Sequence, residues 1–344
     1  MINSWFKFLF NDIGIDLGTA NTLVYVGGRG IVVNEPSYVA VDTATHKAVA
    51  IGSKAKEMVG REPPNIRAER PLRDGVIADF NLAEEMIRSF IRGVLPNSVF
   101  FRPRVVACVP SGITGVEKRA VRDAAERAGA KAVHLIYEPM AAAIGCALPV
   151  DEPVGSMIID IGGGTSEIAV ISLGGIVTSA SIRIGGDEMD QAIIQHLRKR
   201  YNLAIGVRMA ESIKKQLGSA FPVFEVEQDM QVKGLDLVGE TPRAVTVNSE
   251  EIREALAESV NQIIAAVRET LQQTPAELAA DLIDRGIVMS GGGSLLRGFD
   301  ERIHAETNLP VHLDEDSMTG VVRGTGKIIE NYGEYEKMLE ILKD

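Results

Sequence analysis

The sequence predicts an α/β protein built from two similar halves, each a mixed sheet flanked by helices. Three stretches predict it. Ile13-Gly14-Ile15-Asp16-Leu17-Gly18-Thr19-Ala20-Asn21-Thr22-Leu23-Val24-Tyr25-Val26 and residues 157–171 share one pattern: an apolar run, an aspartate, a turn rich in glycine and threonine, and a second apolar run. Such runs favour strands, and the glycine break between them reads as a hairpin. Residues 286–296 repeat the theme, with a strand running into Gly291-Gly292-Gly293. Recurrence of one supersecondary unit implies two similar halves facing each other.

The turns also carry chemistry. Glycine allows close backbone approach and unusual dihedrals, so these turns can offer N–H groups to phosphate oxygens. Gly18, Thr19, Ala20 and Asn21 form the first turn, and Gly162, Gly163, Gly164 and Thr165 the second. Asp16 and Asp160 stand where a strand meets the phosphates, a position suited to holding Mg²⁺ through water. Any one stretch alone reads equally as an ordinary hairpin with a structural Asp. Together they read as a nucleotide clamped between two hairpins.

Composition narrows the class. A chain of 344 residues with 45% hydrophobic content suits two domains with two cores. The net charge of −11 argues against a nucleic-acid binder, which needs a basic face. Cys108 and Cys146 fit no metal or redox spacing, lie in apolar runs and suggest buried packing in a reducing compartment. No apolar run approaches the roughly 20 residues of a spanning helix.

Taken in order, residues 1–10 place Ile2, Trp5, Phe6, Phe8, Leu9 and Phe10 on one arc of a helix turning about 100° per residue. Trp and Phe suit a headgroup boundary, so an interfacial membrane helix is expected, with packing on the protein itself as the alternative. Residues 30–60 read as short strands and a small helix, an insertion on the first core. Arg61, Arg67, Arg70 and Arg73 read as a solvated basic cluster, with an inter-subunit contact as the alternative. Residues 81–95 form an amphipathic helix with Asn81 as its cap. Phe100 and Phe101 follow in a Pro/Asn/Ser loop beside arginines, either apolar tips for an anionic membrane or a plug in the core.

Strand 105–109, helix 114–128 closed by Gly129 and strand 133–137 come next. Glu138-Pro139 then opens an Ala-rich helix, with Pro139 suited to its first turn. Glu138 is either an acid near a helix N-terminus or a carboxylate orienting the water that attacks a terminal phosphate. Ala141 to Ala143 and Gly145 permit a tight helix crossing between the halves. In the second half, helices 188–201 and 207–217 precede an antiparallel excursion over 221–247. Glu211 and Lys214 share a helix face and read as a solvent ion pair. Ser249 opens a helix to about residue 272, Thr274 caps another with Pro275 at its first position, and a helix starts at Ser294. Strand 311–313 and a docked tail helix finish the chain.

Asp16-Leu17-Gly18-Thr19-Ala20-Asn21-Thr22, Glu138-Pro139-Met140-Ala141-Ala142-Ala143-Ile144-Gly145 and Gly185-Gly186-Asp187-Glu188-Met189-Asp190 resemble the actin–Hsp70–sugar kinase superfamily and, within it, the MreB family of bacterial actin homologues. The likeness covers essentially the whole chain. It implies an actin-like ATPase fold: domain I over 1–152 plus 318–344 with a small insertion (IB) near 38–73, and domain II over 153–317 with another (IIB) near 187–246. It implies ATP and Mg²⁺, with Glu138 and Thr165 positioning the water, Glu211, Lys214 and Lys215 at the ribose and adenine, and Gly291, Gly292, Gly293 and Ser294 as the adenosine motif. It also implies self-assembly into paired protofilaments at the inner face of the cytoplasmic membrane. A membrane-anchored adaptor such as RodZ and the wall-elongation machinery are the implied partners, and maintenance of rod shape the implied role. Arg323 departs from the smaller or apolar residue expected there. A sugar kinase of the same fold is the alternative, although the short insertion after Gly30 leaves little room for a sugar. An Hsp70-like chaperone would need a peptide-binding domain after residue 344.

Overall fold

The computed structural model describes residues 12–94 and 102–339, so the membrane candidates Ile2, Trp5, Phe6, Phe8, Leu9, Phe10, Phe100 and Phe101 lie outside the described residues. The first half runs β1 (Ile13–Leu17), β2 (Asn21–Val26), β3 (Gly30–Pro36), β4 (Val39–Asp42), β5 (Ala48–Ile51), α1 (Ser53–Met58), β6 (Ile66–Glu69), β7 (Leu72–Arg73), β8 (Val76–Ile77), α2 (Phe80–Val94), β9 (Arg104–Val109), α3 (Gly115–Ala128), β10 (Ala132–Tyr137) and α4 (Glu138–Gly145). The second runs β11 (Ser156–Ile161), β12 (Ser166–Ser172), β13 (Gly175–Ile182), α5 (Gly186–Tyr201), β14 (Leu203–Ala204), α6 (Val207–Leu217), β15 (Asp229–Asp236), β16 (Pro242–Asn248), α7 (Ser249–Gln273), α8 (Ala276–Arg285), β17 (Ile287–Ser290), α9 (Phe299–Thr307) and β18 (Val311–Leu313). Helices α10 (Gly320–Glu330) and α11 (Tyr332–Tyr335) close the chain.

The repeat extends from hairpins to whole sheets. One five-stranded sheet is ordered β10-β9-β1-β2-β3 and the other β18-β17-β11-β12-β13. In each, the hairpin and its third strand are antiparallel, while the remaining two strands join in parallel. The excursions form small sheets, β5-β4-β6 in the first half and β14-β15-β16 in the second. The second joins β14 to strands that begin only at Asp229, so residues 221–228 of the expected excursion are not part of it.

Strand alternation explains the layers, because successive side chains point to opposite faces. Met157, Ile159 and Ile161 of β11 enter one core with α5 and α7, while Ile158 enters another with α4 and α10. In β9, Val105, Ala107 and Val109 pack toward α2 and α3, while Val106 and Cys108 face the same α4–α10 pair. A helix pair is thus sandwiched between the two sheets. Its close contact depends on glycine. A Cβ added to Gly145 would overlap the Gly320 carbonyl oxygen, and one on Gly324 would overlap that of Ala141. The predicted tight crossing is therefore present, with Gly320 and Gly324 as its other half.

Helix starts shift by a residue or more where a better cap competes. Asp79 accepts from the Leu82 N–H at 3.0 Å, so it takes the role expected of Asn81, which lies inside α2. Asn248, with Glu251, forms a full capping box one residue before Ser249. Thr274 donates its hydroxyl back to the Thr270 carbonyl at 2.8 Å, and Pro275 itself occupies the cap of α8. After Ser294 there is only a 3-10 turn, Gly292–Leu295; the α-helix waits for Phe299, after left-handed Gly298. Gly129 closes α3 as expected, while Thr114, expected as its first residue, is its N-cap. Arg323 pairs with Asp314, tying α10 to the end of β18. The docked tail is a short α11 and a 3-10 turn, with Leu339 buried in the shared core.

Candidate functional site

The two hairpin turns meet. A Cβ on Gly163 would lie 2.6 Å from the Ala20 Cβ, and one on Gly164 would lie 2.8 Å from the Thr19 hydroxyl oxygen. Any side chain at 163 or 164 would push the halves apart, which is why glycine stands at both. Each turn is pinned from behind. The Ser37 hydroxyl donates to the Gly18 carbonyl at 2.6 Å, and the Gly75 N–H donates to the Thr19 hydroxyl at 2.9 Å. The Gly186 and Asp187 N–H groups opening α5 donate to the carbonyls of Gly162 and Gly163 at 3.0 and 2.8 Å.

Between the sheets these turns border a cavity of about 430 Å³, within the usual size for a small-molecule site. Asp16, Gly18, Thr19, Ala20, Asn21, Glu138, Asp160, Gly162, Gly163, Gly164, Thr165, Glu211, Lys214, Lys215, Gly291, Gly292 and Gly293 all line it. Ser294 does not. Its buried hydroxyl donates back to the Gly291 carbonyl at 2.6 Å and closes the turn from behind. Gly291 holds φ +85°, a conformation that favours glycine, and a Cβ there would strike the Ile161 backbone.

Buried acids gather at the turn end of the cavity. Burial, and then the Asp160 charge, push Asp16 up to about 7. Asp160 is also pushed up to about 7, first by burial; the Ser290 hydroxyl opposes this and Glu167 reinforces it. Its Oδ1 is buried without a hydrogen-bond partner. Glu138 is raised well above the usual carboxylate range by burial and then by Glu167, Asp16 and Asp160. Such a group favours a cation beside it.

Glu167 is the residue that sequence reasoning missed. It is fully buried opposite Asp160 in the β11–β12 ladder. One carboxylate oxygen accepts from the Ser111 N–H and hydroxyl at 2.9 and 2.6 Å, and the other accepts from Ser181 at 2.5 Å. Ser111 follows β9, so this acid bridges the two halves. Its signal was an acid inside an otherwise apolar strand, Ser166-Glu167-Ile168-Ala169-Val170.

At the other end, Glu211 and Lys214 do not pair with each other. Lys214 bonds Asp190 at 2.9 Å and the Gly186 carbonyl at 2.5 Å, whereas Glu211 binds Lys215 at 2.7 Å and Lys56 at 3.3 Å. Burial works against the Glu211 charge, but the two lysines hold its carboxyl down at about 2. The residues of the expected solvent pair thus face the cavity, and Lys56 reaches Glu211 across it from α1. Among the four arginines read as solvated, Arg70 also lines the cavity.

Comparisons with known proteins agree with this geometry. The MreB/Mbl protein family model matches residues 10–337. The cell shape-determining protein MreB of Escherichia coli K12 is 54% identical over 332 residues, covering 94% of this chain and 95% of its own. The cell shape-determining protein Mbl of Bacillus subtilis 168 is 48% identical over 326 residues, covering 95% and 98%. Crystal structures of MreB5 of Spiroplasma citri bound to ADP and to AMPPNP superpose with a TM-score of 0.90 at 38% identity, covering 95% of this chain and 98% of that one. With an actin-like duplicated fold and a family match along nearly its whole length, this chain belongs to the MreB/Mbl family.

Proposed function

We propose that this chain is an ATP-binding and ATP-hydrolysing bacterial actin that polymerises into membrane-associated filaments and maintains rod shape by organising wall elongation. The observation that carries the reading is the meeting of two glycine turns, one from each repeated sheet, at the acidic end of one cavity. The adenine nucleotides bound by MreB5 and the cell-shape names of the E. coli and B. subtilis relatives support it. Family membership also disfavours the sugar-kinase alternative.

In this reading residues 1–152 and 318–344 form domain I and 153–317 domain II, with ATP between them. The turns at 18–21 and 162–165 bind the phosphates, Gly291, Gly292 and Gly293 border the adenosine, and Glu211, Lys214 and Lys215 face the ribose and adenine. Asp16 and Asp160 would hold Mg²⁺ through water; the unpartnered Asp160 Oδ1 fits that role. Among the described residues no three acid, His or Cys side chains converge as a metal cluster, so water and phosphate would complete the shell. When bound, the ion supplies charge neutralisation on the phosphates. Glu138, which would ionise once cation charge offsets its acidic neighbours, orients the water and takes its proton, with Thr165 fixing its position. As the water oxygen bonds the terminal phosphorus, the bond to the bridging oxygen breaks and its electron pair leaves with ADP. Phosphoryl transfer of this kind needs mostly positioning and charge compensation.

Among the described residues no helix is long and apolar enough to cross a membrane. Attachment is assigned, on the aromatic composition of the sequence, to Ile2, Trp5, Phe6, Leu9 and Phe10 together with Phe100 and Phe101, at the inner face of the cell membrane, alongside an adaptor such as RodZ. The test is sedimentation with and without ATP and anionic liposomes. ATP-dependent pelleting, and liposome pelleting that is lost when residues 2–10 are deleted and Phe100 and Phe101 become Ser, supports the reading. Absence of ATP-dependent assembly at every concentration, with or without lipid, removes the filament.

A further inference from the structure

Arg70 lies on the connector between β6 and β7, in the small insertion of the first half, yet its side chain is only 18% exposed. Its guanidinium pairs with Asp187, the second residue of α5 in the other half, and stacks over the Tyr38 ring at 4.9 Å. Asp187 itself, and the residue next to Tyr38, are bonded to the glycine turns. Ser37, next to Tyr38, donates its N–H to the Ala20 carbonyl at 3.0 Å, and the Asp187 N–H donates to the Gly163 carbonyl at 2.8 Å. Arg70 therefore stands across the seam where the two turns meet.

The other cations on the cavity wall are placed differently. Lys214 is held within the second half by Asp190 and Gly186, Glu211 on α6 holds Lys215 and, from across the cavity, Lys56, and Arg208 and Arg297 donate to the backbone carbonyls of Glu57 and Gln216. Arg70 alone among the described lining cations has a buried nitrogen, Nε, with no hydrogen-bond partner. A planar guanidinium with a donor to spare matches a phosphate better than the single carboxylate that now holds it. The aromatic face beneath it helps fix the plane of the fork.

We propose that Arg70 exchanges Asp187 for the terminal phosphate of the bound nucleoside triphosphate, so that it distinguishes triphosphate from diphosphate and offsets charge as the phosphoryl group transfers. This rests on the ATP-binding reading above. Asp187 serves as a stand-in anion that keeps the guanidinium positioned when no terminal phosphate is present. An arginine supplied in this way from the same chain raises phosphoryl-transfer rates by orders of magnitude in other nucleotide hydrolases.

The test is calorimetric titration of ATP and ADP into the full-length protein, with phosphate release measured alongside, for Arg70→Gln, Arg70→Lys and Asp187→Asn. Arg70→Gln should weaken ATP about tenfold or more and leave ADP within about twofold, because only ATP carries the group contacted. Its phosphate release should fall by about 10²-fold or more. Arg70→Lys should fold, recover part of the ATP affinity and little of the rate, since Lys keeps the charge and loses the fork. Asp187→Asn should strengthen ATP binding by removing the competing anion. If Arg70→Gln and Asp187→Asn instead weaken ATP and ADP equally, the pair is a latch across the cavity and the proposal is overturned. If the parent protein binds neither nucleotide, the ATP reading fails before Arg70 is tested.

Discussion

Glu138 and Glu167 show why single residues here carry more than their sequence context suggests. Two acids are buried near each other in the nucleotide-free protein, and both are pushed upward, chiefly by burial. A buried carboxyl of this kind is most stable protonated. Its contribution is complete below the ordinary carboxylate range and is lost as pH rises through the raised value. Glu138→Gln should therefore raise the melting temperature of the nucleotide-free protein more at pH 8 than at pH 5. Equal shifts at both values would mean that Glu138 is not held protonated. Legibility divides at the same point. Asp16, Glu138 and Asp160 could be read because each sits beside a glycine turn or a helix start. The bridging contacts of Glu167 and Arg70 could not, because their partners Ser111, Ser181, Asp187 and Tyr38 are distant in sequence and are assembled only by the fold.

At the scale of elements, the hairpins, the helix at Glu138 and the close helix crossing were legible, since periodicity and glycine placement are local signals. The caps were less so. Asp79 and Asn248 displaced Asn81 and Ser249 because neighbouring polar residues compete and only geometry chooses between them. The crossing of α4 and α10 makes a sharp prediction. A methyl added at Gly324 meets Ala141 backbone, which cannot rotate away as a side chain could. Gly324→Ala should cost about 1–3 kcal/mol or more by overpacking, read as a lower denaturant midpoint. Gly93→Ala, where nothing lies within 4 Å, is the control within a helix and should be neutral or slightly stabilising. Matching midpoints for the two variants would mean that the crossing is not tight. Thr114→Ala should lose about 1 kcal/mol with its capping box.

At the scale of the molecule, the duplication was legible from three glycine turns, while contacts across the cavity were not. Lys56 to Glu211, Arg70 to Asp187 and Ser111 to Glu167 all join one half to the other around the proposed nucleotide site. A ligand there can set the relation of the halves only if it binds one arrangement better than another. Asp160→Ala should therefore weaken both Mg²⁺-dependent ATP binding and ATP-dependent assembly, measured by calorimetry and light scattering. Loss of assembly with unchanged affinity would separate the two. The central claim is that Glu138 acts on the water of a bound ATP. The most direct measurement is single-turnover phosphate release from saturating ATP by Glu138→Ala, beside its ATP affinity. The account predicts near-normal affinity with release slowed about 10²–10⁴-fold. Release at the parental rate from a fully bound, folded variant would contradict it.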